Sequence, residues 1–350
     1  MTPGASEVNT FRLASEATTI TEFKELKGKL AMLPINNPLI NTALFVTKKY
    51  DMKYKWRNIL VYLYAHLSIV YIVQLALFHA KWSTLVFTFV YEVLGGLGVT
   101  AGSHRLFSHR SYKVKTPLKI LLLMMHCIAN QYSVHKWARD HRCHHKFNET
   151  DADPHNPRRG YFFAHIGWVL VNKHPDVLEN GKKIDMSDIT NDPYCMFQTR
   201  YFEILGPMFS FVIPTLIPWY FFGEDLVTSW YIAGVLKFLV TAHCSFIVNS
   251  VAHALGERPY DGTQGATDNR LLKYVSLGEC FHNYHHAFPW DYAIPEIGVN
   301  DFNATTSFID MFSKIGWTYD KKVTTLDIVK RRVLRTGDGS HRFSKELLDE

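Results

Sequence analysis

Two short runs carry the residues best suited to chemistry. His141-Arg142-Cys143-His144-His145 and His282-Asn283-Tyr284-His285-His286 each place a histidine, two spacers and a histidine pair. A third run, His104-Arg105-Leu106-Phe107-Ser108-His109, adds two more. On a helix, positions i, i+3 and i+4 share one face, so each triplet aims three imidazoles at one point. Imidazole is the commonest side-chain ligand of transition metals and suits zinc, copper, iron and nickel. Eight such nitrogens exceed what one tetrahedral ion can use. The spacing asks for two metals.

The elements that position these histidines are apolar. Of 350 residues, 47% are hydrophobic and 14% aromatic while 20% are charged, and the apolar residues are clustered. Four stretches approach the ~20 residues needed to cross a bilayer: 58–78, 82–101, 204–222 and 230–251. The third contains Pro207, Pro214 and Pro218 and is predicted to kink. A fifth run, 117–129, is too short to cross and is predicted to lie in the interface or against the protein. Only His79, Ala80 and Lys81 separate the first two stretches, and 223–229 the last two, so they pair as hairpins.

Lys48, Lys49, Lys53, Lys55 and Arg57 crowd the entry to the first stretch, and 102–203 is also rich in Lys and Arg. The positive-inside rule then puts both termini and the middle segment in the cytosol, with all three histidine runs on that side. The net charge of +6 follows this topology and implies no nucleic-acid partner. Five cysteines without paired spacing point to a reducing compartment. The polar N-terminus lacks the layout of a cleavable signal, so the first apolar run is expected to act as an uncleaved anchor.

Two intramembrane features add detail. Lys237, Thr241, Ser245, Asn249 and His253 recur every fourth residue, a polar stripe that faces a bundle interior or cavity or glues helices together. It ends where His253 can serve as a ninth ligand and Asn249 can hold a metal-bound water. Glu92 stands inside the second stretch, either near the closed end of a tunnel or hydrogen-bonded within the bundle.

Longer motifs surround these residues: Trp137-Ala138-Arg139-Asp140 before the second run, Ala152-Asp153-Pro154-His155-Asn156, Asn249-Ser250-Val251-Ala252-His253, and Gly278-Glu279-Cys280-Phe281 before the third. On them, from about 56 to about 317, the chain resembles the membrane fatty acyl-CoA desaturases of the stearoyl-CoA desaturase type. Within that family it resembles insect enzymes, particularly those of moths, including sex-pheromone synthesis. The resemblance implies an all-α integral membrane fold: four transmembrane helices in two hairpins and a cytosolic helical cap around a di-iron site. It implies iron ligands at His104, His109, His141, His144, His145, His253, His282, His285 and His286, with Asn249 acting through a water. His126, His135, His165, His174 and His243 match no ligand position and are expected to pack or hydrogen-bond.

The same resemblance implies CoA contacts at Asn58, Gln131, Arg139, Asp140 and Lys173, and a tunnel wall at Trp137. It implies two iron ions, O2, a long-chain acyl-CoA, and cytochrome b5 with its reductase as electron donor. It also implies an endoplasmic reticulum membrane location with the active site cytosolic. The expected reaction is a delta-9 or delta-11 desaturation giving a cis double bond. Hydroxylation, acetylenic bond formation and diene conjugation are alternatives at the same site. A histidine-rich metal transporter is a more distant one, since transport sites lie near the bilayer midplane and these histidines lie beyond the span ends.

The predicted organisation is 1–57 N-terminal segment, 58–101 first hairpin, 102–203 cap with two histidine runs, 204–251 second hairpin, 252–320 cap with the third run, and 321–350 tail. Some positions depart from the family pattern: Ser245 and Phe246 replace Thr and Trp, Tyr132 and Asn172 replace Asn and Arg, and the first run reads Ser103-His104-Arg105-Leu106-Phe107 where Ala before the histidine and Trp in its middle are usual. None removes a ligand. They bear on substrate geometry.

Overall fold

The described residues of this computed structural model, 50–294 and 303–346, are mostly helical. The strands among them, Lys113–Val114 and Thr318–Tyr319, form one short antiparallel pair. The chain divides into two units at Tyr50, and the second, Asp51–Glu350, carries the fold set out below. Residues 1–49 of the predicted N-terminal segment, 295–302 of the predicted cap and 347–350 of the predicted tail lie outside the described residues.

Among the described residues, three helices are long and apolar enough to cross a membrane: Trp82–Ser108, Pro193–Phe221 and Leu226–His253. The pair Trp56–Leu67 and Ile69–Phe78, bent by 41°, is long and apolar enough to make a fourth when taken as one span. The sequence predicts an unbroken helix there, and Ser68 explains the bend. Its hydroxyl donates to the Tyr64 carbonyl at 2.8 Å, and such bonding to the i−4 carbonyl bends helices.

The spans are longer than a crossing needs. The second span has 27 residues, about 40 Å of helix at 1.5 Å per residue, against a hydrocarbon core of ~30 Å. The sequence predicts ends at 101 and 251, whereas the helices run on to Ser108 and His253. The surplus turns carry His104 and His253.

The third span starts earlier than predicted because the Asp192 carboxylate accepts from the Tyr194 and Cys195 N–H groups at 3.0 and 3.1 Å, capping it. Its proline-rich part does not break. A π-helical stretch, Met208–Val212, follows Pro207 directly, and the helix continues to Phe221.

Ala65, Ile72 and Leu75 of the first span pack against Ile232, Val235, Phe238 and Leu239 of the fourth, forming the core between the spans. The fourth span is the central one, with 56% of its apolar window buried against 39% and 28% in the second and third. Outward-facing Val70, Phe89, Ile204 and Tyr220 are exposed, as lipid contact requires. The two hairpin tips are tied together by Glu224, whose carboxylate accepts from the Lys81 N–H and the Thr84 hydroxyl, both at 2.7 Å. The short run 117–129 forms the helix Thr116–Ala129, which packs against the second span. At Gly98 a Cβ would sit 2.3 Å from the Met125 carbonyl carbon, so this approach needs glycine.

Candidate metal centre

The first histidine run lies in a π-helical stretch, Gly98–Ser108, at the end of the second span. The His109 N–H donates to the His104 carbonyl at 3.1 Å, a bond between residues five apart. In an α-helix such residues point apart. A π-turn stacks them, and the rings of His104 and His109 lie 4.9 Å apart.

The second run lies on the helix Val134–Phe147, where α-helical spacing aligns His141, His144 and His145. Its spacer Arg142 ties it to the first run, donating to the Phe107 and Ser108 carbonyls at 2.6 and 3.0 Å.

The third run forms a six-residue helix, His282–Ala287, buried throughout. Its spacers hold it. The Asn283 side chain accepts from the Tyr260 and Asp261 N–H groups and donates to the Asp261 and Ala266 carbonyls, at 2.9–3.0 Å. Asp268 accepts the Asn283 and Tyr284 N–H groups at 2.7 and 3.2 Å, and the Tyr284 hydroxyl donates to Asp291 at 2.8 Å.

These elements bring all nine predicted histidines together in two groups. His104, His109, His141, His145 and His285 form one, and His144, His253, His282 and His286 the other, with ligand nitrogens in each within 4.8 Å of one another. In the first group the Nε2 atoms of His109 and His141 are 2.8 Å apart, and those of His104 and His145 are each 2.9 Å from His285. In the second, His282 Nε2 is 3.0 Å from His253 and 3.1 Å from His286, and His144 is 3.3 Å from His286. Nitrogens this close point at shared positions where an ion would stand.

Burial, reinforced by the neighbouring imidazoles, pushes His109, His141, His145, His282, His285 and His286 well below the usual histidine range. Their lone pairs are therefore free at neutral pH. The donor set suits transition metals, and each group has enough nitrogens for one ion.

Two carboxylates, given no role by the sequence reading, orient the rings. Asp153 takes His144 Nδ1 at 3.0 Å and the Glu149 N–H at 3.0 Å. Glu279 lies 3.2 Å from His104 Nδ1 and accepts from buried Arg105 at 2.9 Å. Burial opposes ionisation of both, but the adjoining histidines and Arg105 outweigh it and hold both carboxyls low. Such partners fix the tautomer and aim of a metal-ligating imidazole. His155, also without a predicted ligand role, packs on His144 with ring centroids 4.3 Å apart.

A cavity of about 850 Å³ reaches from His104, His141, His144 and His282 down between the spans. Asn58, Gln131, Trp137, Asp140, Asn249 and Glu92 all line it. Thr241, Ser245 and Asn249 line it too, so three members of the polar stripe face a cavity. Trp137 stacks on His141 at 5.0 Å and donates to Gln131 at 3.3 Å, and Gln131 donates to Ser245 at 2.6 Å.

Arg139 and Lys173 do not line the cavity. Both pair with the Asp140 carboxylate, Arg139 at 2.9 Å. Lys55 and Lys136, missed by the sequence reading, join this cation cluster. Burial and the charge of Lys173 push Lys55 down and Lys136 to about 8. Four cationic side chains around one carboxylate leave an excess of positive charge, which suits an anion.

A mostly helical membrane protein with nine converging imidazoles in two groups, six of them buried and three half-buried, opening on a cavity between its spans, has the architecture of a histidine-rich metal protein of the membrane. Comparison with known proteins is specific: the fatty acid desaturase family model matches residues 80–296, and the chain belongs to that family. It is 47% identical over 292 residues to an acyl-CoA Delta-9 desaturase of Acheta domesticus, covering 83% of this chain and 81% of the relative. It is 44% identical over 335 residues to an acyl-CoA Delta(11) desaturase of Spodoptera littoralis, covering 95% of each. It is also 48% identical over 285 residues to the (11Z)-hexadec-11-enoyl-CoA conjugase of Bombyx mori, covering 81% of this chain and 86% of the relative.

Proposed function

We propose that this chain is an acyl-CoA desaturase that uses O2 and two electrons to remove two hydrogens from adjacent methylenes of a saturated long-chain acyl-CoA, giving a cis double bond. The observation that carries this reading is the meeting of two imidazole groups with one end of a long, largely apolar cavity. Methylene C–H bonds yield to no side-chain acid or base, so a redox metal must supply the chemistry and the protein must supply position. Iron is that metal, held by the five-histidine group and the four-histidine group, with Asn249 acting through a water.

The chain's own residues then act on the substrate. Lys55, Lys136, Arg139 and Lys173 receive the CoA phosphates, while Asp140 orders the cations and Asn58 and Gln131 add polar contacts. Trp137, braced on Gln131 and His141, forms the tunnel wall beside the reacting bond. Cytochrome b5, recharged by its reductase, delivers electrons. A second, open groove of about 450 Å³ suits it, lined by His109, Arg110, Arg142, Lys146, Lys183 and Trp290 and sharing no residue with the acyl cavity.

In this reading the protein sits in the endoplasmic reticulum membrane as two hairpins, with termini and histidine-bearing cap in the cytosol. The insect relatives support a delta-9 or delta-11 position, and the likeness to moth enzymes supports service in insect sex-pheromone synthesis. Diene conjugation is the second reading, because the Bombyx mori conjugase is as similar to this chain, at 48% identity, as the Acheta domesticus desaturase is at 47%.

Expression in a desaturase-deficient yeast tests the proposal. New monoenes from saturated chains, located by mass spectrometry and dependent on O2, support it. Dienes formed only from a supplied monoene favour conjugation. No new double bond overturns both.

A further inference from the structure

The deep part of the cavity contains a carboxyl that a plain hydrocarbon chain does not use. Glu92 lines it, beside Val93, Phe211 and Phe238. Its Oε2 is 2.5 Å from the Thr241 hydroxyl. Its Oε1 takes no hydrogen bond among the described residues. Thr241 is itself committed, since its single proton is shared between Glu92 and the Lys237 carbonyl at 2.8 Å.

Both residues stand at one depth. Glu92 lies twelve positions before His104 on the second span (104 − 92), and Thr241 twelve before His253 on the fourth (253 − 241). Along the fourth span, twelve residues make about 18 Å of helix, so the pair sits well below the imidazoles, toward the far end of a chain held by its head.

Resting on the acyl-CoA reading above, we propose that the Glu92–Thr241 pair receives a hydroxyl carried by the distal part of the acyl chain, so that the substrate class includes oxygenated acyl-CoAs. The hydroxyl O–H donates to Glu92 Oε1. A methyl-terminated chain passing the same point desolvates that oxygen without replacing its bond, and a buried acceptor left unmade is penalised. A site with a committed polar group rejects the analogue that lacks the partner more strongly than an apolar pocket rejects an added hydroxyl. The pair therefore reads chemistry as well as chain length.

The test uses the full-length protein in membranes with its reductants. Saturated acyl-CoAs of several lengths are paired with their terminally hydroxylated counterparts, and kcat/KM is measured for each. At one length or more the wild-type protein should favour the hydroxylated member. Glu92→Leu should shift the hydroxyl-to-methyl ratio at least tenfold toward methyl, with the near-isosteric Glu92→Gln in between. An unchanged ratio in Glu92→Leu at every length overturns the inference and leaves the desaturase reading standing. If no acyl-CoA is turned over, the desaturase reading fails by itself. Competition binding of the same pairs to the purified protein then decides this inference by the same ratio.

Discussion

Two sets of histidines in this molecule make nitrogen–nitrogen contacts of the same length and do different things. In one set, at and beyond the span ends, nine rings turn their Nε2 atoms inward on two common points, with neighbouring Nε2 atoms 2.8–3.3 Å apart. In the other set, three rings run head to tail between helices. His66 Nε2 meets His243 Nε2 at 3.0 Å, and His243 Nδ1 meets His165 Nε2 at 2.9 Å. The string is closed by the Tyr62 carbonyl on His66 at 2.6 Å and the Ser250 hydroxyl on His165 at 2.9 Å. Every nitrogen in the string has a protein partner, and no position is left where an ion could collect three of them. Close imidazoles alone therefore do not identify a metal site. Convergence is what a metal needs, together with carboxylates such as Asp153 and Glu279 behind the rings.

The sharpest way to break this contrast is to remove a converging ring. His141→Ala or His285→Ala should reduce desaturation to background and lower bound iron, while membrane insertion survives because both residues lie outside the spans. Product analysis with metal quantification checks this, and full activity in either variant would refute the assignment. The next largest effect belongs to the orienting carboxylates. Asp153→Ala and Glu279→Gln keep every ligand but loosen its aim, and outer-shell changes of this kind cost 10–100-fold in affinity or activity. Iron titration of the purified variants would show that loss.

These two predictions also mark how far the sequence was legible. The His-x-x-His-His runs were readable because α-helical spacing alone places i, i+3 and i+4 together. His253 was readable from the polar stripe, since its period matches one helix face. The union of His104 with His109 was not, because five-residue spacing converges only in the π-turn that follows the second span. The carboxylates were missed for a different reason. Glu279 reaches His104 from the far end of the chain, a meeting fixed by packing around Arg105 that no local pattern encodes. The bend at Ser68 was hidden because its cause is one side-chain hydrogen bond inside an otherwise uniform apolar run.

A moderate effect is expected at Lys136, which touches neither histidine set. Held at about 8 by burial and by Lys173, it is charged below that pH and neutral above it. Phosphate binding uses the charged form, so KM for acyl-CoA should be lowest below pH 8 and rise above it. Lys136→Ala should raise KM about tenfold, the order of one charge-assisted hydrogen bond, and flatten that rise while kcat holds. A pH series on both proteins would expose a merely structural lysine, because its removal would leave the profile's shape intact.

The smallest effect should come from the string. His243 joins the first span to the fourth and, through His165, to the π-helical stretch Phe163–Gly167. None of the three rings lines the acyl cavity; Tyr62 and Phe246 do, in front of them. Replacing His243 with Leu removes two hydrogen bonds between helices, and such bonds average about 0.6 kcal/mol in membrane proteins. The expected cost is therefore about 1 kcal/mol in thermal or denaturant unfolding, with iron content unchanged and desaturation within about twofold. Loss of iron from His243→Leu would erase the distinction drawn here, because a ring in the string would then be acting as a ligand. Retention of iron alongside its loss in His141→Ala would show that the direction of the nitrogens, and not their proximity, separates a metal centre from a strut.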